Sequence, residues 1–228
     1  MKLGLILAYF RAFLAGAPIG DVAVMKIAAL RATPGELDER LHHLRGFAPK
    51  LDTDELKRLH DGSLGREYAR YLEANGLEHL TISEPMLRRF ADNPYAIRYT
   101  VTHDLHHLLT GFDTGLAGEI GVAAFTAAQG AGPIGPIALR RLRWLYALLS
   151  PSQARATFHN LDVGMAMGRK AKLVLAEPLE AWLADPLDAV RARLAISEAD
   201  RAAIVPSGRS SLIRSLYDAA RRKPSAAA

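Results

Sequence analysis

The 228-residue chain reads as all-α: a single-domain, multi-helix bundle with a metal site between two of its helices. Three observations carry that reading. Apolar residues recur at three- and four-residue spacing in segment after segment, the period of one helix face. No stretch shows the strict alternation of a half-buried strand. Glycine, proline, Asn-Gly and Asn-Pro punctuation separates the periodic segments, and Ser, Thr or Asp stands at several of their starts.

Composition sets further bounds. Half the residues are hydrophobic, ordinary for a globular chain, and the length suffices for a substantial core. With no cysteine, disulfides and thiolate metal sites are excluded. A net charge of +5 can favour nucleic acid or an anionic membrane surface. Aromatic residues make up only 7%, and no basic run is interleaved with stacking aromatics, so nucleic acid is set aside.

Residues 1–16, MKLGLILAYFRAFLAG, are apolar with Lys2 and Arg11. Arg11 interrupts the apolar run after eight residues, which argues against a secretory signal, and the segment is too short to span a bilayer. A buried or membrane-touching helix is expected. No Arg- and Ser-rich leader precedes it, so a bacterial or already processed chain is expected too. Asp21 can cap a helix through VAVMKIAALRA. Thr33-Pro34-Gly35-Glu36 has the capping-box pattern and opens a helix to about residue 45, with Leu37, Leu41 and Leu44 as its stripe. A short helix follows Thr53, with Leu56 and Leu59 inward. Ser63 starts a helix carrying Leu64, Tyr68, Tyr71 and Leu72 on one side, stopped by Asn75-Gly76. Residues 84–91 give another short helix before Asn93-Pro94.

In the second half, an apolar, Arg-studded helix is expected at about 136–149, then one over 151–175 opened by Ser150-Pro151-Ser152. Pro178 and Pro186 bracket a short helix bearing Trp182, and 187–194 forms another. The helical domain is read as 1–208, with 209–228 a basic amphipathic helix and tail. In that segment Leu212, Leu216 and Ala220 align at i+4 spacing, ringed by Arg209, Arg214, Arg221, Arg222 and Lys223. It can pack on its own domain, the commoner outcome, or lie on an anionic membrane face.

The stretch that organises the chain is 98–130, RYTVTHDLHHLLTGFDTGLAGEIGVAAFTAAQG. Residues 94–109 read as a helix with Tyr95, Ile97, Val101, Leu105 and Leu108 at apolar positions. His103 and His107 fall about 40° apart on it, with Asp104 about 100° from His103 and His106 about 60° to the other side. On one unbroken helix Glu119 would stand about 18 Å beyond His107. Gly111, Asp113, Thr114, Gly115 and Gly118 break the helix instead, and a second one starts near 114–118. Glu119 would then sit in its first turn and fold back over the imidazoles. Two imidazoles with one or two carboxylates suit zinc, iron or manganese. The competing reading is a pair of partly exposed or core histidines. A phosphohydrolase of the HD type is a third, but His42, His43, His60, His79 and His159 bring no second His-Asp doublet.

HDxxH followed by eleven residues and Glu, here His103, Asp104, His107 and Glu119, resembles the signature of the ubiquinone biosynthesis family Coq-four. DGSLGREYARYLEANGL, YAIRYTVTHD and EPLEAWLADPLDAVRARLAI resemble other blocks of that family, so the likeness covers about 60–197. One departure is Glu177-Pro178-Leu179, where many members have Asp-Trp-Glu. The resemblance implies a divalent ion on His103, Asp104, His107 and Glu119, with zinc first and iron, manganese, cobalt or magnesium as alternatives. It implies a polyprenylated benzoic-acid or quinone precursor, whose ring carboxylate is replaced by hydroxyl in an oxidative decarboxylation. The expected partners are other coenzyme Q enzymes and a membrane surface, with a homodimer also open. The expected location is peripheral on the cytoplasmic face of a bacterial inner membrane, or on the matrix face in a mitochondrion. Leu105, Leu108, Phe112, Ile120, Val122 and Phe125 could line a slot for the lipid tail or simply be core. His106 could carry protons at the rim or be structural. The alternative function is a non-catalytic organiser that presents the lipid to partner enzymes, with the metal only pinning two helices.

Overall fold

The structure is a computed structural model that describes residues 3–30 and 36–207. Its helices, in chain order, are α1 (Leu3–Leu14), α2 (Ile19–Leu30), α3 (Glu36–Arg40), α4 (Thr53–Leu56), α5 (Leu64–Asn75) and α6 (Glu84–Arg89). They continue with α7 (Pro94–Thr110), α8 (Leu116–Ala128), α9 (Pro136–Leu149), α10 (Ala154–Lys170), α11 (Leu187–Arg193) and α12 (Glu198–Ala202). Among the described residues there is no strand, so the all-α expectation holds. None of these helices is long and apolar enough to cross a membrane. The chain divides into two compact units, Met1–Leu109 with Ala171–Ile196 and Thr110–Lys170 with Ser197–Ala228. The expected basic helix within 209–228 and the expected cap at Thr33-Pro34-Gly35 lie outside the described residues.

In the first unit, α1 packs against α2, which is buried through Val22, Val24, Met25 and Ile27. The other side of α1 is not buried: Leu7, Phe10 and Leu14 stand exposed. Asp21 does not cap α2. The helix already starts at Ile19, with the Val22 N–H on the Pro18 carbonyl. The buried Asp21 carboxylate instead accepts the Ser83 N–H at 2.8 Å, sixty-two residues away, at the start of α6. The helix expected to run to residue 45 breaks at Leu41 and continues as a 3-10 turn, His42–Leu44.

α5 forms where the sequence places it. The Ser63 hydroxyl accepts the Arg66 N–H at 3.3 Å, and Gly76 ends the helix at φ 62°, a left-handed conformation that suits glycine. Its first turn is tied to the segment before α11: Leu64 N–H donates to Asp185 O and Leu187 N–H to Gly62 O, both at 2.8 Å. α7 is held from both ends of its length. The fully buried Arg98 donates to Glu180 at 2.8 Å and to the carbonyls of Leu175 and Glu177. Arg191 of α11 donates to the Leu108 and Leu109 carbonyls at 2.9 and 3.1 Å, satisfying the last turn of α7. Trp182 lies on a 3-10 turn, Leu179–Trp182, rather than an α-helix.

In the second unit, α8 packs tightly along α10. A side chain at Gly164 would stand 2.3 Å from the Gly121 carbonyl, and one at Gly168 2.3 Å from the Phe125 carbonyl. Ile120, Ala124, Ala127, Leu139, Leu161 and Met165 make the core, with Tyr146 against it. α10 ends at Lys170, not near 175, because the chain turns there and Lys172 N–H bonds the Leu194 carbonyl. Val174 and Leu175 are then buried in a 3-10 turn of the first unit. α12 was not expected, although Ser197-Glu198-Ala199-Asp200 is a capping-box pattern: the Ser197 hydroxyl accepts the Asp200 N–H at 3.1 Å.

Replacing Gly164 by Ala should lower stability by about 1–3 kcal/mol, because the added methyl must push α8 and α10 apart. Urea unfolding of the full chain checks this, and an unchanged midpoint would show that the two helices do not need their close approach.

Candidate metal centre

α7 begins under a side-chain cap, with Asn93 Oδ1 accepting the Ala96 N–H at 3.0 Å. Four residues per step down this helix bring Tyr99, His103 and His107 onto one side. The His103 and His107 ring centroids are 4.9 Å apart, as i, i+4 spacing requires. Tyr71 of α5 stacks on His107 with centroids 6.4 Å apart, and Tyr99 lies 6.0 Å from His103. His107 is buried, whereas the His103 side chain keeps about a quarter of its surface. Asp104 Oδ1 lies 3.4 Å from His103 Nδ1.

His106 does not reach a rim. It is 1% exposed, and its Nδ1 lies 2.8 Å from the Thr102 carbonyl, to which it donates. Burial pushes its pKa down to about 3, so it stays neutral and structural. A second line of buried groups was not legible in the sequence. The Tyr68 hydroxyl lies 3.0 Å from His79 Nδ1, and His79 Nε2 lies 3.3 Å from the Pro49 carbonyl. Burial lowers the His79 pKa, so a neutral ring passes a hydrogen bond from phenol to carbonyl. Burial and the nearby Asp104 charge raise the Tyr68 pKa, which keeps the phenol protonated.

Glu119 belongs to the first turn of α8, and its N–H bonds the Gly115 carbonyl at 2.8 Å. The turn ahead of α8 is built around Asp113. Its carboxylate accepts the Gly115 N–H at 2.8 Å and the Ser207 N–H at 2.6 Å, while the Ser207 hydroxyl accepts the Gly118 N–H at 3.0 Å. Gly111 turns at φ 87°, and a side chain at Gly118 would meet the Asp113 carbonyl at 2.0 Å. Both positions therefore require glycine. Asn160, fully buried on α10, holds the opposite side by bonding the Ala117 and Val205 carbonyls and the Val205 N–H.

One donor atom each from His103, His107 and Glu119 lies within 4.8 Å of the others. Two imidazoles with a carboxylate form a ligand set known for zinc. The group could hold a metal ion. The residues expected to line a lipid slot are mostly core: Leu105, Phe112, Ile120, Val122 and Phe125 are buried. The Phe112 ring covers Gly121, and Ile120 sits in the core of the second unit. Leu108 is half-buried. Tyr71 and Tyr99, read from sequence as stripe residues or left unremarked, prove to be the rings around the imidazoles.

Residues 47–200 match the family described as coenzyme Q (ubiquinone) biosynthesis protein Coq4. The chain belongs to this family. A mitochondrial ubiquinone biosynthesis protein COQ4 homolog from Rattus norvegicus is 36% identical over 160 residues, covering 64% of this chain and 55% of that protein. The Nematostella vectensis homolog of the same name is 28% identical over 158 residues, covering 66% of this chain and 74% of its own. The chain thus spans little more than half the length of its rat relative. A crystal structure of a protein from Nostoc punctiforme shares the fold at a TM-score of 0.57, with 23% identity, covering 85% of this chain and 97% of that one.

Because His106 is harder to protonate folded than unfolded, it favours the folded state fully above about pH 6.5, the ordinary histidine value. That contribution is lost as pH falls from there toward about 3. Stability should therefore fall with each pH unit across this window. The slope should flatten in His106→Gln, measured by urea unfolding from pH 7 to pH 4; identical slopes would contradict the assignment.

Proposed function

We propose that the chain acts in coenzyme Q biosynthesis, replacing the ring carboxylate of a polyprenylated hydroxybenzoate precursor by hydroxyl. What supports this is the gathering of His103, His107 and Glu119 donors within 4.8 Å in a chain of the Coq4 family. His103 and His107 would bind a divalent ion with Glu119, and zinc fits the donor set first. A bound ion would supply Lewis acidity at the departing carboxylate, and a redox-active one would also engage dioxygen. Asp104 orients His103 and fixes its tautomer. Tyr71 and Tyr99 hold the ring planes of His107 and His103. Leu108, half-buried one position beyond His107, is the apolar residue best placed for the start of a prenyl tail.

The overall change balances as carboxylated ring, dioxygen and water giving hydroxylated ring, carbon dioxide and hydrogen peroxide. The ring loses two electrons and dioxygen takes them up. The precursor's tail places the protein peripherally at a membrane, on the cytoplasmic face in a bacterium or the matrix face in a mitochondrion. Other coenzyme Q enzymes are its neighbours there.

Purified wild type and His103→Ala, matched for helicity by circular dichroism, would be given the prenylated carboxylated ring with dioxygen. Wild type should bind about one equivalent of divalent metal and release carbon dioxide, and His103→Ala should lose about 10- to 100-fold or more in both. If no metal supports turnover while the variant retains full lipid binding, the non-catalytic organiser is the correct reading.

A further inference from the structure

α9 has an outward face that the described residues of its own unit do not cover. The helix packs through Leu139 and Tyr146, while Ile137, Trp144, Leu145, Leu148 and Leu149 remain exposed, Ile137 at 70% and Leu148 at 75%. At about 100° per residue, Ile137, Trp144 and Leu148 fall within about 40° of arc, flanked by Arg140 and Arg141. Both arginines are exposed, and α9 contains Arg143 as well but no acidic residue. The Arg143 guanidinium lies over the Trp144 and Phe158 rings, at 5.3 and 5.1 Å, so Trp144 is braced yet still largely exposed. An open cleft beside the first turn is lined by Pro136, Ile137, Ala138, Leu142 and Leu145, with Arg141 at its edge.

We propose that this face of α9 docks on an anionic phospholipid surface, lying in the plane of the interface. Charge selects the occupant. A second copy related by two-fold symmetry would set Arg140 and Arg141 against their counterparts with no α9 carboxylate to answer them. An anionic bilayer answers both, and it also takes up the aliphatic side chains between them. Trp144 is the residue type that settles at the headgroup level, and the arginines extend outward to phosphates while their stems lie along the apolar strip. The 14-residue helix is about 21 Å long, enough for an in-plane anchor and too short for a span. This gives the peripheral location a specific surface and does not depend on the metal chemistry.

The test uses the full chain with vesicles of phosphatidylcholine alone or mixed with phosphatidylglycerol, read by flotation and by the emission of Trp144 in a Trp182→Phe background. Wild type should float with anionic vesicles, weaken with salt, bind neutral vesicles poorly and show a blue-shifted Trp144. Arg140→Glu with Arg141→Glu should lower partition by about tenfold or more. Ile137→Ser with Leu148→Ser should lower it similarly with helicity unchanged. His103→Ala should bind vesicles like wild type, so failure of the chemical reading leaves this one standing. Wild-type binding that both α9 variants retain, or equal binding to neutral and anionic vesicles, overturns the proposal. So does a wild type that ignores vesicles but forms a dimer that the α9 substitutions dissociate.

Discussion

The carboxylate of Asp113 fixes where α8 begins, and much of the second unit follows from that one choice. By holding the Gly115 and Ser207 amides it sets the register of the helix. That register places Glu119 in the first turn, Ile120 and Ala124 in the core, and Gly121 against Gly164 of α10. A start one residue later would rotate every one of these positions by about 100°. The glycines at 111 and 118 are there because the turn leaves no room, or no allowed backbone angle, for anything larger.

α7 solves a different problem. It carries three histidines and an aspartate through the interior of the first unit, so it must be held rigidly without a purely apolar surface. Arg98 is a fully buried cation, which is costly unless it is paired and hydrogen-bonded. Its bonds to Glu180 and to two carbonyls meet that need and anchor the helix before the histidines. Arg191 does the same for the carbonyls after them. Between these brackets the imidazoles sit among tyrosine rings, with one carboxylate beside His103. His106, on the same helix, shows what burial alone gives: a neutral ring bonded to the Thr102 carbonyl one turn back.

Local chemistry was legible in the sequence. Ser63 and Asn75-Gly76 bounded α5, and the glycine-rich break between α7 and α8 was visible from residue types alone. The His-Asp-x-x-His spacing set the histidine geometry because helical periodicity leaves little choice. Long-range pairing was not legible. Nothing near Asp21 says that it reaches Ser83, and nothing near Arg98 names partners about eighty residues on. Tyr71 could be placed on a helix face, but which imidazole that face would meet needed the fold. The outward face of α9 was likewise hidden, since an Arg-studded apolar segment looks the same whichever side packs inward. α12 was simply overlooked, for its capping box was there to be read.

The central claim is that a helix break lets one carboxylate join two imidazoles a turn apart around a single ion. X-ray absorption at the metal edge of zinc-loaded full-length protein tests it directly. The account predicts a first shell of nitrogen and oxygen at about 2.0–2.2 Å with outer scattering from two imidazole rings. A shell without imidazole scattering, or one unchanged when Glu119 is replaced by Gln and His107 by Ala together, would contradict it.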